Sequence, residues 1–358
     1  MKRLSCFHLV VLLGPALGCG ADPGSEVAAM RSDISVQCGA PASFPAPSYV
    51  RGVGLDEAGR YMSIATNPSA RIVDLDTDTV VQNFVAYVVP EHLYPHTDAS
   101  GALVVSNGGS PSYLSVREVG GSNRVQIPNA DPAAYHLSGD GSVVVYEEDD
   151  TEQIYAYPVP ASPSAYDPAL RTPIATGRLH GVSDDGTVVL YGVARQAYVL
   201  DRTTNTTWTA PPTWTYEWVL SGDGRYIVTW DFQTLVRIEV GTGVREDLTT
   251  SVKRLWQVIG SYRSPPAISD DGRYIVADTE EALDPLDTDT DVDIYVFDLQ
   301  SGSAQVVFDP PHNAARFALS GDGSRVAMVH RAAYYNTSIS VAMNPFECSA
   351  AAPDPEAQ

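Results

Sequence analysis

The chain has 358 residues, with 44 Asp and Glu against 22 Lys and Arg, and a formal net charge of −22. So acidic a surface argues against nucleic acid and anionic membrane faces as partners, because both repel it. The length exceeds a usual single hydrophobic core, which points to a core divided among repeated units.

Met1-Lys2-Arg3 is a short basic start, and Phe7 to Leu13 is an apolar run broken only by His8. Small residues follow at Gly14 and Gly18. A charged head, a short apolar run and small residues before a cut describe a secretory signal over residues 1–18, too short to span a membrane. Gly18-Cys19 resembles the bacterial lipoprotein signal, in which the cysteine is acylated and becomes the new amino terminus. The match departs at Ala16, where that family prefers Leu, and at Leu17, where it prefers a small residue. The resemblance implies lipidation of Cys19 and an exported protein anchored in the cell envelope, on the outer membrane rather than the inner. Cys19 and residues 20–33, rich in Gly, Pro, Ala, Ser and charges, form the lipidated end and a flexible tether.

Ile34-Ser35-Val36-Gln37 reads as a strand at the head of a domain covering residues 34–348. Behind it one pattern recurs seven times: an apolar residue, Ser or Asp, one or two small or acidic residues, Gly, then a β-rich run. The pivotal glycines are Gly59, Gly101, Gly141, Gly186, Gly224, Gly272 and Gly323, with gaps of 42, 40, 45, 38, 48 and 51 residues. Such gaps suit the blades of a propeller. Ser or Asp side chains bond nearby N–H groups and Gly accepts positive φ, so each copy turns a hairpin. The runs that follow, such as Tyr226-Ile227-Val228, are β-branched and aromatic, as a sheet packed on both faces requires. Ile294 to Gly302, Tyr198 to Arg202 and Ile72 to Asp76 read as third strands, and four strands per repeat complete the unit. The fold class expected is all-β, a seven-bladed β-propeller.

The segments Leu-Ser-x-Asp-Gly-Arg-Tyr-Ile-Val at 220–228 and Asp-Ile-Tyr-Val-Phe-Asp-Leu-x-Ser-Gly at 293–302 resemble TolB-like, WD-type β-propeller repeats. The resemblance covers roughly residues 50–345 and departs where that family's Pro is replaced by Gly222 or its equivalents. It implies a fold, and propellers host binding, scaffolding and catalysis alike.

The seventh repeat ends at Ser338 to Met343 with no fourth strand behind it, so the amino-terminal strand is expected to close the ring. Cys6 leaves with the signal and Cys19 is acylated, which leaves Cys38 and Cys348 to pair in an oxidising compartment. Closing a loop of about 310 residues would stabilise by roughly 5 to 6 kcal/mol at most. Residues 349–358 read as a disordered tail.

Three constellations are candidates for chemistry. Asp284, Asp287, Asp289, Asp291 and Asp293 alternate with neutral residues, and hard oxygens so placed suit Ca²⁺. Asp287, Asp289, Asp291 and Asp293 are the ligand candidates, and a solvated acidic loop is the competing reading. No other cofactor is implied. His96 and His136 each stand five residues before their motif glycine, with Asp56 and Asp98 in the same parity, so these four mark a channel mouth where an enzyme would have to work. His180 stands one position out of phase. Trp208 and Trp214 flank Pro211-Pro212, a binding loop if the indoles are exposed. No Gly-x-Ser-x-Gly, phosphate-cradling Gly loop, Cys-x-x-Cys or His-Glu-x-x-His occurs. The expected function is non-catalytic binding or scaffolding of another envelope component. The alternatives are a polysaccharide lyase or hydrolase acting in the channel, and a Ca²⁺-dependent ligand-binding module.

Overall fold

The computed structural model describes residues 41–45, 50–66, 69–85, 96–108, 113–213, 217–231, 234–249, 265–288, 292–308, 314–333 and 336–350. These residues form seven antiparallel four-stranded sheets. The first strands of the sheets, Val50–Leu55, His96–Thr97, Ala130–Leu137, Arg178–Val182, Trp218–Leu220, Ala267–Ile268 and Ala314–Leu319, neighbour one another around the axis, and the last returns to the first. The chain is a seven-bladed β-propeller.

Within a blade, successive residues of a strand face opposite seams, because the side-chain period of a strand is two. Tyr274–Thr279 is buried along its whole length for this reason. Val276 packs in the seam with blade 7, while Ile275 and Ala277 pack in the seam with blade 5. Seven apolar clusters result, one for each seam.

The motif turns are built as their residue types require. Ser221 Oγ accepts from the Tyr226 amide at 3.0 Å and donates to Asp223 Oδ1 at 2.6 Å. Asp223 Oδ1 in turn accepts from the Arg225 amide at 2.9 Å. Ser138, Ser183, Ser269 and Ser320 repeat this. Each motif glycine has φ between 64° and 74°, a region costly to L side chains. It also leaves room for a neighbour. A Cβ on Gly101 would stand 2.0 Å from the Tyr61 ring, and one on Gly272 would stand 2.2 Å from the Tyr226 ring. The remaining glycines receive Arg325 at Gly59, Leu103 at Gly141, Val143 at Gly186, Val188 at Gly224 and Tyr274 at Gly323. Each incoming side chain belongs to the preceding blade, two residues after that blade's own motif glycine. The interlock runs through all seven seams.

An amino-terminal strand closes the ring, as expected; Ile34–Gln37, the strand expected to do so, lies outside the described residues. Ala42–Pro45 pairs antiparallel with Asn336–Met343 and forms the outer edge of the last sheet. Proline is tolerated at an edge, where its missing N–H costs no ladder bond. Cys348, in a short helix Pro345–Ala350, is disulfide-bonded. Its expected partner Cys38 lies outside the described residues.

Comparing two kinds of positive-φ glycine isolates the interlock. Gly241 has φ 85° and nothing within 4 Å of a built Cβ. Gly241→Ala is expected to cost about 1 kcal/mol from backbone strain alone, against about 2 to 4 kcal/mol for Gly101→Ala, which adds overpacking. Urea denaturation of the two variants checks this.

Candidate functional site

The first strands of blades 2, 3 and 4 bring three histidines into one neighbourhood. His96 faces blade 3, with its ring 4.7 Å from that of His136 and 5.6 Å from that of Tyr135. His180 sits where the pairing of its strand shifts register between Leu179 and Gly181, which turns it toward blade 5. There its ring meets Trp218 edge-on at 4.9 Å. His180 thus belongs to the register shift of its strand, and its ring meets the following blade as that of His96 does.

Burial favours the neutral form of all three. It holds His96 well below its usual value, helped by the charge His136 would carry. It lowers His136 to about 4. His180 is lowered to about 3 by burial first, and then by Arg178 and His136. Glu147, at the end of the second strand of blade 3, is pushed up to about 7 by burial, against the Leu179 amide that donates to its Oε1 at 2.5 Å.

Asp56 and Asp98 each bond within their own turn. Each stands where five blades have the motif Ser, and each closes its own turn. Asp56 Oδ1 accepts from the Tyr61 amide at 2.8 Å, and Asp98 Oδ1 accepts from the Leu103 amide at 2.9 Å. Burial raises Asp56 to about 6, against the backbone amides that donate to it.

A second gathering lies at the turn end of the channel, at the position following the motif Ser or Asp. That position reads Glu57, Ala99, Gly139, Asp184, Gly222, Asp270 and Gly321. Backbone bonds tie these turns from blade to blade: the Asp184 amide donates to Gly222 O at 2.8 Å, and the Asp270 amide to Gly321 O at 2.8 Å. Glycine alternates with aspartate here because the carboxylates lie over the glycines. A Cβ on Gly222 would stand 2.2 Å from Asp184 Oδ2 and 2.5 Å from Asp270 Oδ1, so the two carboxylates share the space above it. Burial raises Asp184 to about 6, with Glu57, Asp185, Asp223 and Asp140 adding to it. Burial raises Asp270 to about 8, with Asp184, Glu57, Asp322 and Asp271 adding to it. Sequence reading missed this pair. The signal was an acid at that one motif position in blades 4 and 6, set between glycines.

The acidic stretch of blade 6 is committed to its own protein where it is described. Asp284 accepts from the Leu286 amide at 2.9 Å and from the Val306 amide at 3.1 Å. Asp287 accepts from the Tyr295 hydroxyl at 2.5 Å, and Asp293 begins the third strand, buried. Asp289 and Asp291 lie outside the described residues. Among the described residues, no three His, Cys, Asp or Glu side chains are grouped to hold a metal ion. Trp208 lies on the outer strand of blade 4, Thr206–Thr209, and is half-buried against the seam with blade 5. Trp214 lies outside the described residues. Trp218 and Trp230 are core residues, and Trp218 Nε1 donates to Thr213 Oγ1 at 3.1 Å.

No protein-family model matches the chain, and no curated protein matches it. Solved structures do. The β-propeller domain of Cps50 (Swd1) from Myceliophteria thermophila is similar with a TM-score of 0.59 at 11% identity, over 83% of this chain and 99% of that one. The hydrazine synthase of Kuenenia stuttgartiensis is similar with a TM-score of 0.51 at 14% identity, over 78% of this chain and 92% of that one. Identities this low speak for the propeller fold alone.

The two gatherings give opposite slopes of stability with pH. The histidines sit below their unfolded value near 6.5, so the folded chain binds fewer protons than the unfolded one. Their contribution is present above pH 6.5 and lost as pH falls toward 4, at about 1.4 kcal/mol per unit for each histidine until its own value is reached. Asp184 and Asp270 sit above their unfolded value, so their contribution is present below pH 4 and lost as pH rises through 6 and 8. Melting temperature against pH checks both. Asp270→Asn should gain stability over the wild type above pH 8 and little at pH 4, while His136→Gln should flatten the acid side only.

Proposed function

We propose that this chain is a bacterial envelope lipoprotein, anchored through Cys19, whose TolB-like propeller binds another envelope component without catalysing a reaction. One observation carries the reading. The residues that mark the channel in the sequence are engaged in holding the ring together, since Asp56 and Asp98 close turns and His96 and His136 pack on each other. General acid–base chemistry needs paired groups that exchange a proton with a substrate near neutral pH, and burial holds both histidines well below that range while it raises Asp56 to about 6. A ring with so acidic a sequence is suited to presenting a charged surface.

A second reading rests on Asp184 and Asp270. Two carboxylates in one space with values pushed apart, to about 6 and about 8, are the kind of pair that can divide acid and base roles. They would make the channel a hydrolase or lyase site for an envelope polysaccharide.

Partner recovery by cross-linking in whole cells, beside envelope polysaccharide turnover, separates the two. For the binding module, partners are captured by wild type and by the double variant Asp184→Asn/Asp270→Asn alike, with no turnover assignable to the chain. Turnover by wild type that vanishes in the double variant, with partners retained, would replace this reading with the enzymatic one. Cys19→Ser is expected to release the protein to the soluble fraction, and unchanged membrane partitioning would remove the lipid anchor from the account.

A further inference from the structure

At the turn end of the channel, backbone bonds run from each blade to the next, and they alternate between two kinds. In blades 2, 4 and 6 the amide of the residue after the motif Ser or Asp donates to the carbonyl of a glycine: Ala99 to Gly139 at 2.7 Å, Asp184 to Gly222 at 2.8 Å and Asp270 to Gly321 at 2.8 Å. In blades 3, 5 and 7 the next amide along donates to the carbonyl of an acidic residue: Asp140 to Asp184 at 2.8 Å, Asp223 to Asp270 at 2.8 Å and Asp322 to Glu57 at 2.7 Å. Each of these six seams thus sets one glycine against one side chain. The glycine is required by space. A Cβ on Gly321 would stand 2.1 Å from Asp270 Oδ2, and one on Gly139 would stand 2.7 Å from Asp184 Oδ1.

Because the number of blades is odd, glycine and side chain cannot alternate all the way round. The break falls between blades 1 and 2, where Glu57 and Ala99 both carry side chains. Among the described residues, no backbone bond joins the Glu57 or Ala58 amide to the turn of blade 2. The same seam is the least filled. Its apolar cluster has three buried residues among those described, Ala70, Ile72 and Val104, where every other seam has at least six.

What does cross this seam lies away from the axis. The Tyr61 ring fills the space above Gly101, and toward the outer strands the Gly120 amide donates to Gln82 Oε1 at 2.7 Å. The seam where the two ends of the chain meet is secured by contrast. There Arg325 donates to Gly59 O at 2.9 Å and to Asp76 Oδ1 at 3.2 Å, beside the bond from Asp322 to Glu57. The turns of blades 1 and 2 can therefore separate at the axis, about the Tyr61 contact, without breaking a backbone bond between blades. At each of the other seams the same movement breaks one.

We infer that the ring has a built-in opening at this seam: the turns at 56–59 and 98–101 part and widen the mouth of the channel, while the other six pairs of turns stay joined. Local opening of this kind draws on the least stable contacts of a structure, and here the side chains of Glu57 and Ala99 set where those contacts are. The inference goes beyond the proposed function and does not depend on it.

Hydrogen exchange on the full chain, resolved to single amides, tests it. The amides to compare are bonded alike within their own turns: Tyr61 to Asp56 Oδ1 at 2.8 Å and Leu103 to Asp98 Oδ1 at 2.9 Å, against Tyr226 to Ser221 Oγ at 3.0 Å and Tyr274 to Ser269 Oγ at 2.9 Å. Carboxylates are the stronger acceptors, so these bonds alone would make Tyr61 and Leu103 the slower pair. The expected result is the reverse, protection lower at Tyr61 and Leu103 by about fivefold or more. Ala99→Gly gives the seam its glycine and should raise protection at both amides about fivefold, whereas glycine in an ordinary turn loosens the chain. Equal protection in the four turns, or protection unchanged or lowered by Ala99→Gly, would overturn the inference. Glu57→Gln keeps the side chain and removes its charge, so it should leave both amides as they are. A gain in Glu57→Gln as large as in Ala99→Gly would assign the opening to charge and overturn the steric account.

Discussion

Every seam of this ring depends on one contact, a side chain from one blade entering the space above the motif glycine of the next. The glycine meets two demands at once, a positive φ that tightens the hairpin and an absent Cβ that admits the neighbour. Either demand alone could be met approximately by Asn or by a small residue. Both together leave glycine, which is why it recurs at spacings of 38 to 51 residues through sequences that otherwise share little. The incoming group varies freely among Tyr, Leu, Val and Arg, because the space fixes where a side chain goes and not its chemistry.

The other features follow from seven seams closed in this way. Each seam holds an apolar cluster, so the core is spread around the axis and no blade is stable without its neighbours. A ring of such units gains only if it closes. Ala42–Pro45 provides the missing strand of the last sheet, and Cys348, just after that sheet's last strand in the chain, is disulfide-bonded. At the turn end, closure brings seven equivalent positions close to one axis. A residue that is innocuous in one hairpin becomes charged company for its counterparts in others, as Glu57, Asp184 and Asp270 are for one another.

The fold was legible because its determinants are local and repeated. Gly224, with Ser221 and Asp223 before it and Tyr226 after it, states a turn and a strand within six residues, and seven copies state a ring. The closing strand was legible in kind, and the part of it that the structure describes was hidden. Pro41 and Pro45 bracket Ala42–Pro45 and disguise a strand that only an edge position permits, whereas Ile34–Gln37 carries the apolar alternation that strands usually show. The sites were much less legible, since what a side chain does depends on which blade it faces. Asp56 and Asp98 looked like channel carboxylates because they share parity with His96, yet each substitutes for a turn serine. Asp184 and Asp270 looked like turn residues, yet they meet above Gly222.

If the glycine interlock governs the ring, its steric and conformational parts must separate in a double-mutant cycle at one seam. Gly272→Ala, Tyr226→Ala and the double variant, each unfolded in urea, measure the coupling directly. The account predicts that removing the Tyr226 ring recovers most of the loss caused by Gly272→Ala, leaving a residue of about 1 kcal/mol for the strained φ. Losses that simply add would contradict it, since the alanine would then be costly for reasons unconnected with the side chain it displaces.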